Sequence, residues 1–476
     1  MTNPDIAQEI SDNYKQLCIG IDNVTSFLQQ ANIETALNHA RDVATFGWTH
    51  SCGVFVSEEF EHVLANASML IPDLTTRSGL ASKRRVLTIM TSIHSIGGHS
   101  RIAWRYFQID KFSHHTLLLT SQGQNPLPTQ ICELVDSGLL TVLILNESNW
   151  QEKIQKLRSM AATSDFIQLI THPNDILPCA ALPGMRQCPP VIFTDHASHT
   201  FWLGATISHQ ILSTSAILLE SRRGIPKSHI SWAPLPIDFK RLDSQSTIDV
   251  RKSLKIPAYS VLLLTSGSDY KFQPIADISL SNLLLPVMIK NPEVHLLVIG
   301  VNTHSWWKPL LEACPERVHL HGYVNEQELI ACYKSCDIYL DPVPFPSPTA
   351  MIEAGACGKP VARFAPDDWR DAEFTQDIPT IPTSLYVWPN EKMYQKDLDR
   401  LIGDISFRIW RGRFSRDLIR LYHSDEAFIA AIDSAFSRAV ESGPIILRDN
   451  PSQCRVAKID ELLHRYSNNQ FRNNLS

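Results

Sequence analysis

The chain has 476 residues and 44% hydrophobic content, enough for two or three domains with full cores. A formal charge of −6 and an isoelectric point near 6.3 argue against a general nucleic-acid binder. Ten cysteines lie scattered without paired metal-ligand spacing, Met1 to Asp12 is polar, and no apolar run reaches the length of a membrane span. The expectation is a cytoplasmic protein in a reducing compartment, with no signal peptide and no transmembrane segment.

Residues 1–80 read as a helical extension. Ile21 to Ala31, Ile33 to Phe46 and Phe55 to Leu70 carry apolar residues at helical spacing, and Ser57-Glu58-Glu59 is a helix start. Packing or homodimerisation is the simpler use of such an arm, and acceptor recognition the sharper one. The pattern leaves both open.

Residues 81–236 read as a first α/β domain. Val86 to Met90 is a buried strand that runs into His94, Gly97, Gly98, His99 and Arg101 before a helix from Ile102. Two glycines at a strand-to-helix turn let backbone approach a ligand, with amides pointing at it. His115 to Thr120, Leu139 to Leu145, Phe166 to Thr171 and Val191 to Phe193 follow as strands, with a helix over Trp150 to Ala162. Such alternation is the pattern of a parallel sheet. Strand ends deliver His94, His172 and His196. His196 is the favoured functional residue, because an imidazole titrates near working pH and serves as base or hydrogen-bond partner. Asp195 or Asp175 is expected to orient it. Ser213 to Leu219 and His229 to Trp232 complete the sheet, and the Pro-rich run Ala233 to Asp238 reads as a hinge.

Residues 237–445 read as a second α/β domain, with a short helix over Ser246 to Leu254. The strand Val261 to Leu264 leads into Gly267 and Lys271, and a lysine just past a strand end can neutralise a diphosphate. Val294 to Ile299 is a strand. Val318 to Val324 is a strand and loop holding Gly322, Tyr323 and Val324. Glu326 to Ser335 is a helix, on which Cys332 and Cys336 read as core. The strand Ile338 to Leu340 ends on Asp341 and a Pro-rich loop. A helix is expected from Thr349 as N-cap, with Glu353 one turn in and Gly358 as its stop. Free helix amides at the carboxyl edge of a parallel sheet favour an anion, and Glu353 is placed to accept from ligand hydroxyls. Val361 to Phe364 is expected as the final strand. Arg408, Arg411, Arg413, Arg416 and Arg420 share one helical run with apolar residues. A solvated face is the simpler reading, and contact with an anionic membrane surface the alternative. Residues 446–476 read as a helical tail.

Asp337-x-x-Leu340-Asp341, Thr349, Glu353-Ala354 and Gly358-x-Pro360-Val361 together resemble the nucleotide-sugar site of GT-B glycosyltransferases, both the retaining family 4 type and the family 41 O-GlcNAc transferase type. Tyr270-Lys271-x-x-Pro274 resembles a family 41 motif. The resemblance implies two Rossmann-like domains facing a cleft. It places Lys271 and Thr349 on the diphosphate, Glu353 on the ribose, and the backbone of Gly322, Tyr323 and Val324 on the base. Gly97, Gly98 and His99 fall on the donor phosphates and acceptor, and His196 near the reacting sugar. The chain departs from family 4 in having Phe345 where a second Glu contacts the sugar, and in lacking an arginine before Lys271. The implied activity is transfer of a hexose or N-acetylhexosamine, UDP-linked, without metal or other cofactor. A protein, lipid or glycan acceptor, and retention or inversion, all stay open. The rivals are a nucleotide-sugar epimerase and a GT-B-shaped scaffold without turnover.

Overall fold

The computed structural model describes residues 3–79, 81–95, 98–197, 199–213, 219–220, 222–244, 248–275, 277–365, 386–388, 390–448, 452–454, 456 and 458–468. The chain divides into two compact units, Met1–Pro234 with Phe428–Asn468, and Leu235–Ala427 with Asn469–Ser476.

The first unit opens with helices α1 (Pro4–Gln29), α2 (Ile33–Thr49) and α3 (Glu58–Met69). Each starts on a side-chain cap. At α3 the Ser57 hydroxyl accepts from Phe60 N at 3.1 Å, which satisfies one of the amides a helix start leaves unpaired. The sheet follows as β1 (Arg84–Met90), α4 (Gly98–Ile109), β2 (Ser113–Leu119), α5 (Thr129–Asp136), β3 (Leu140–Ile144), α6 (Trp150–Ala162), β4 (Phe166–Ile170), α7 (Leu177–Ala181), β5 (Val191–Asp195), β6 (Gln210–Ser213) and β7 (Ile230–Trp232). All seven strands run parallel in the order β3-β2-β1-β4-β5-β6-β7. The order reverses at β1, so β1 and β4 flank the switch point where α/β sheets hold ligands.

Strands buried on both faces read as continuous apolar runs, which is why β1, β2 and β4 were legible. Leu87, Ile89, Ile167 and Leu169 pack in one core with α1 to α3 and α6. Val86, Met90 and Leu117 pack on the other side with α4 and α5. That second core is completed by Phe428, Ile432, Ala435 and Phe436 from a late helix.

The second unit holds α8 (Phe239–Asp243), α9 (Val250–Ser253), β8 (Val261–Ser266), α10 (Leu280–Lys290), β9 (Val294–Ile299), α11 (Lys308–Ala313), β10 (Val318–His321), α12 (Glu326–Ser335), β11 (Ile338–Leu340), α13 (Pro348–Ala356), β12 (Val361–Phe364) and β13 (Tyr386–Trp388). The helices α14 (Glu391–Gly403) and α15 (Ile405–Tyr422) follow. Then α16 (Asp425–Glu441) carries the chain back into the first unit, which ends with α17 (Lys458–Ser467). The second sheet is also parallel, in the order β10-β9-β8-β11-β12-β13. A reciprocal capping box of Asn325 and Glu328 starts α12. Cys332 and Cys336 are buried on and beside it, as expected of core residues.

Four expectations about the elements are corrected. Val361–Phe364 is not the final strand, because β13 pairs alongside it; three residues are too few to show a period. The strand expected over Ser213–Leu219 is Gln210–Ser213, and residues 214–218 lie outside the described residues. Gln210 is tolerated inside the sheet because Ser231 Oγ donates to its Oε1 and its amide donates to Ser228 O, each at 3.2 Å. The helix expected over Ser246–Leu254 is only Val250–Ser253. Asp249 Oδ1 accepts from Lys252 N at 3.0 Å and so starts the helix late.

The basic run of α15 is not a uniformly solvated face. Arg408 donates to Leu401 O and Ile402 O, Arg416 makes two bonds to Asp243, and Arg411 is buried. Helical spacing located this helix, but its arginines are largely engaged within the unit. Helix α13, too, starts earlier than expected, on Pro348.

Candidate active site

The carboxyl ends of β8 and β11 meet around Lys271. The backbone after β8 turns through Gly267 into a single 3-10 turn, Asp269–Lys271, which throws the lysine side chain back over the strand end. Its Nζ donates to Pro346 O at 2.8 Å and to Ser347 Oγ at 2.9 Å. Phe345 N donates to Lys271 O at 3.2 Å, so the β11 loop and the lysine turn hold each other. A side chain at Gly267 would press at 3.2 Å on Lys271, Pro342 and Ser347 alike. Gly300 has φ +88°, and a Cβ there would stand 2.6 Å from Gly267 O. Two glycines therefore give this corner its close backbone approach.

Beneath the corner lies a buried ion pair. Asp341 Oδ1 accepts from Ser347 N at 2.8 Å, and its Oδ2 is 3.5 Å from Arg363 Nε, with both residues almost fully buried. Burial raises the Asp341 pKa, and Arg363, the Ser347 amide and Lys271 oppose this. Burial also pulls the Lys271 pKa down to about 8, with Asp341 opposing. An ammonium held in this way gains from any anion that reaches it.

Helix α13 starts two residues earlier than expected. Its N-cap is Ser347 and Pro348 is its first residue, so Thr349 is its second position and not the cap. Proline suits a first helical position because the amide it lacks would be unpaired there. No side-chain cap bond forms at this helix start. Ser347 Oγ is instead the acceptor for Lys271. Glu353 stands further along, on the second turn, and is buried. Its Oε1 accepts from Arg241 Nη2 at 2.9 Å, and Arg241 also pairs with Glu326.

Gly322, Tyr323 and Val324 follow β10 on the same sheet edge. Gly300 N donates to Gly322 O at 3.2 Å, and Tyr323 Oη reaches Ser268 Oγ at 3.5 Å. The structure thus gathers Lys271, the Ser347–Thr349 helix start and the 322–324 loop on one edge, with Glu353 bound to Arg241 on the helix between them. Sequence reading did not single out Ser347, Arg363 or Arg241. Ser-Pro before an apolar helix is a cap signal that would have found Ser347. Arg241 lies 112 residues from Glu353, and Arg363, on the strand after α13, carries no local pattern that marks it.

The first sheet has its own polar edge. His172 follows β4, His196 follows β5, and His99 stands in the first turn of α4. The His99 ring is 5.4 Å from His172 and 5.2 Å from His196, centroid to centroid. His94 is turned aside, with Nε2 3.0 Å from Ser92 Oγ. Gly98 is the first residue of α4, and Gly97 lies outside the described residues. Burial, reinforced by the neighbouring imidazoles, pushes His99 down to about 3, and burial pushes His196 down to about 4. His172 is lowered too, again by burial.

The expected orienting carboxylates do other work. Asp195 accepts from Ser213 Oγ at 3.0 Å and Ala197 N at 3.2 Å. Asp175 accepts from Thr91 Oγ1, Thr120 Oγ1 and Leu177 N, tying three strand ends together. His196 Nδ1 faces Thr194 O at 3.4 Å instead. Strand-end hydroxyls are short and close, so they reach these carboxylates before an imidazole does. Among the described residues no three His, Cys, Asp or Glu side chains converge as a metal-binding group, and no helix is long and apolar enough to cross a membrane.

Comparison with known proteins adds the following. The family "Glycosyl transferases group 1" matches residues 278–367, a stretch that holds Thr349, Glu353 and the Pro-rich loop. No curated protein matches the chain. Among solved structures, a glycosyltransferase from Rickettsia africae superposes with a TM-score of 0.55 at 12% identity, over 76% of this chain and all of that one (100%). HepE of Anabaena, solved with UDP and glucose, gives 0.53 at 12%, over 74% and 99%. A variant of the O-GlcNAc transferase of Thermobaculum terrenum gives 0.50 at 14%, over 90% and 84%. Identities this low speak to architecture alone, and the architecture of this chain, with its two parallel sheets and flanking helices, is the GT-B fold.

Proposed function

We propose that the chain is a glycosyltransferase that moves a hexose or N-acetylhexosamine from a UDP-linked donor to an acceptor, without a metal ion. The observation that carries this is the Lys271 ammonium held by Pro346 O and Ser347 Oγ at the entrance of α13. A departing nucleoside diphosphate gathers negative charge, and a fixed cation beside free helix amides stabilises that charge without rearrangement. Glu353 on the same helix supplies a carboxylate for ribose hydroxyls, held in place by Arg241. The group 1 match over residues 278–367 supports the same region as the donor half. HepE was solved with UDP-glucose, which makes UDP the first nucleotide to try. His196, kept neutral by burial, has the protonation state of a base or of a hydrogen-bond partner to the donor sugar.

The test is incubation with a panel of nucleotide sugars, followed by mass spectrometry of acceptor pools. Product with one donor is expected, and Lys271→Ala should lower kcat by about 10²–10³-fold while the protein stays folded. Turnover unchanged by that substitution would overturn the assignment. Partner binding without any turnover would favour the scaffold reading.

A further inference from the structure

Lys271 is a long side chain on a very short turn. The pairing of β8 with β9 ends where Gly267 N donates to Ile299 O at 3.0 Å. The turn beyond is closed by two backbone bonds, Lys271 N to Ser268 O at 2.9 Å and Phe272 N to Asp269 O at 3.0 Å. A lone 3-10 turn is a weak unit. Fixing a lysine on it costs about 2 kcal/mol of rotamer freedom, so an ammonium aimed from this base needs the backbone held from outside.

The hold comes from the loop after β9. Asn302 N donates to Asp269 Oδ1 at 2.9 Å, and Asn302 Nδ2 donates to Asp269 Oδ2 at 2.8 Å. His304 Nε2 stands 3.1 Å from the same Oδ1, and its ring stacks on Trp306 at 4.1 Å and 13°. Three residues after His304, Trp307 packs on Phe272 with 5.3 Å between ring centroids, both buried in the core of the second unit. Asp269 lies two residues before Lys271, and Phe272 one residue after it. The segment 302–307 therefore grips the turn on both sides of the lysine.

We infer that Asp269 is a positioning residue for the donor: bound through both oxygens to Asn302, it fixes the turn from which Lys271 reaches the diphosphate. This rests on the reading of Lys271 given above. It also accounts for a carboxylate only two residues from a site for an anion. Left unmatched, that charge would repel a diphosphate. Here one oxygen takes the backbone amide and the other the side-chain amide of Asn302, with His304 alongside. Lys271 has separate partners, Pro346 O and Ser347 Oγ, so the aspartate acts on the turn and does not compete for the ammonium.

The experiment is calorimetric titration of the full chain with UDP, arranged as a double-mutant cycle. Lys271→Ala should weaken UDP about 10–100-fold. Asp269→Ala should weaken it about tenfold in a folded protein. The two together should be no worse than Lys271→Ala alone, within about twofold, because the aspartate acts through the lysine. Asp269→Asn should recover most of the loss, since its Oδ1 still accepts from Asn302 N and the Asn302 amide can turn its oxygen toward the new amide. Additive losses would overturn the inference, because a general loosening of the sheet edge costs the same with or without the lysine. UDP affinity unchanged by Asp269→Ala, with Lys271→Ala still damaging, would overturn it and leave the donor reading standing. No UDP binding by the unmodified chain, or binding indifferent to Lys271→Ala, would bring down the donor reading and the inference with it. Asn302→Ala, expected to cost about threefold, runs the same cycle if Asp269→Ala does not fold.

Discussion

At the carboxyl edge of the second sheet a single lysine is held among carbonyl, hydroxyl and a buried Asp341–Arg363 pair. At the same edge of the first sheet, three imidazoles pack ring against ring. Both edges arise from the same parallel architecture, and both are desolvated. Desolvation acts on them with different results. Lys271 is pulled down to about 8 and still carries its charge at neutral pH, whereas His99 and His196, pulled down to about 3 and about 4, carry none. One fold thus presents a cationic strand end and a neutral one.

The strongest way to break this contrast is to remove what supports the cation. Arg363→Met leaves Asp341 buried without its partner, and unfolding in urea should show a loss of about 3–5 kcal/mol. A milder perturbation uses pH. Only protonated Lys271 attracts a diphosphate, so the Kd for UDP should rise about fivefold between pH 8 and pH 9, as the free site deprotonates near 8. Calorimetry across that range checks it, and Lys271→Arg should flatten the dependence.

The first edge should respond at the other end of the scale. Its imidazoles sit below their ordinary value of 6.5, so the unfolded chain binds more protons than the folded one between about pH 6.5 and pH 4. Stability is therefore complete above that window and falls as the pH drops through it, by about 1–3 kcal/mol. Urea unfolding at pH 7 and pH 5 measures this, and His99→Gln with His196→Gln should remove most of the difference. The smallest effect is expected at Tyr323, which is 73% exposed with one long hydrogen bond. Tyr323→Ala should change stability by less than about 0.5 kcal/mol. If the backbone holds the base, UDP affinity should hardly change.

Continuous apolar runs and strong caps made much of the fold legible. The bounds of Val294–Ile299, Glu326–Ser335 and Trp150–Ala162 were read correctly residue for residue. The misses have physical causes. Gln210 looks too polar for a central strand until Ser231 and Ser228 are seen to satisfy it. Thr349 is a good cap by propensity, but Pro348 can only be inside the helix, which moves the cap to Ser347. At the site, Lys271 and Glu353 were visible because strand-end and helix-start positions follow from local pattern. Arg241 was not, since it reaches Glu353 across 112 residues, and Arg363 was not, since only the pairing of adjacent strands brings it to Asp341.

The late return of α16 to the first unit has a consequence for synthesis. Phe428, Ile432 and Phe436 fill the core that Val86, Tyr106 and Leu117 begin, more than three hundred residues earlier in the chain. While the ribosome makes the intervening segment, that face of the first sheet has only α4 and α5 to cover it. The second unit lies almost entirely within Leu235–Ala427 and can assemble in the meantime. A nascent chain halted before residue 428 therefore carries a partly open apolar wall, a natural place for chaperones to hold it.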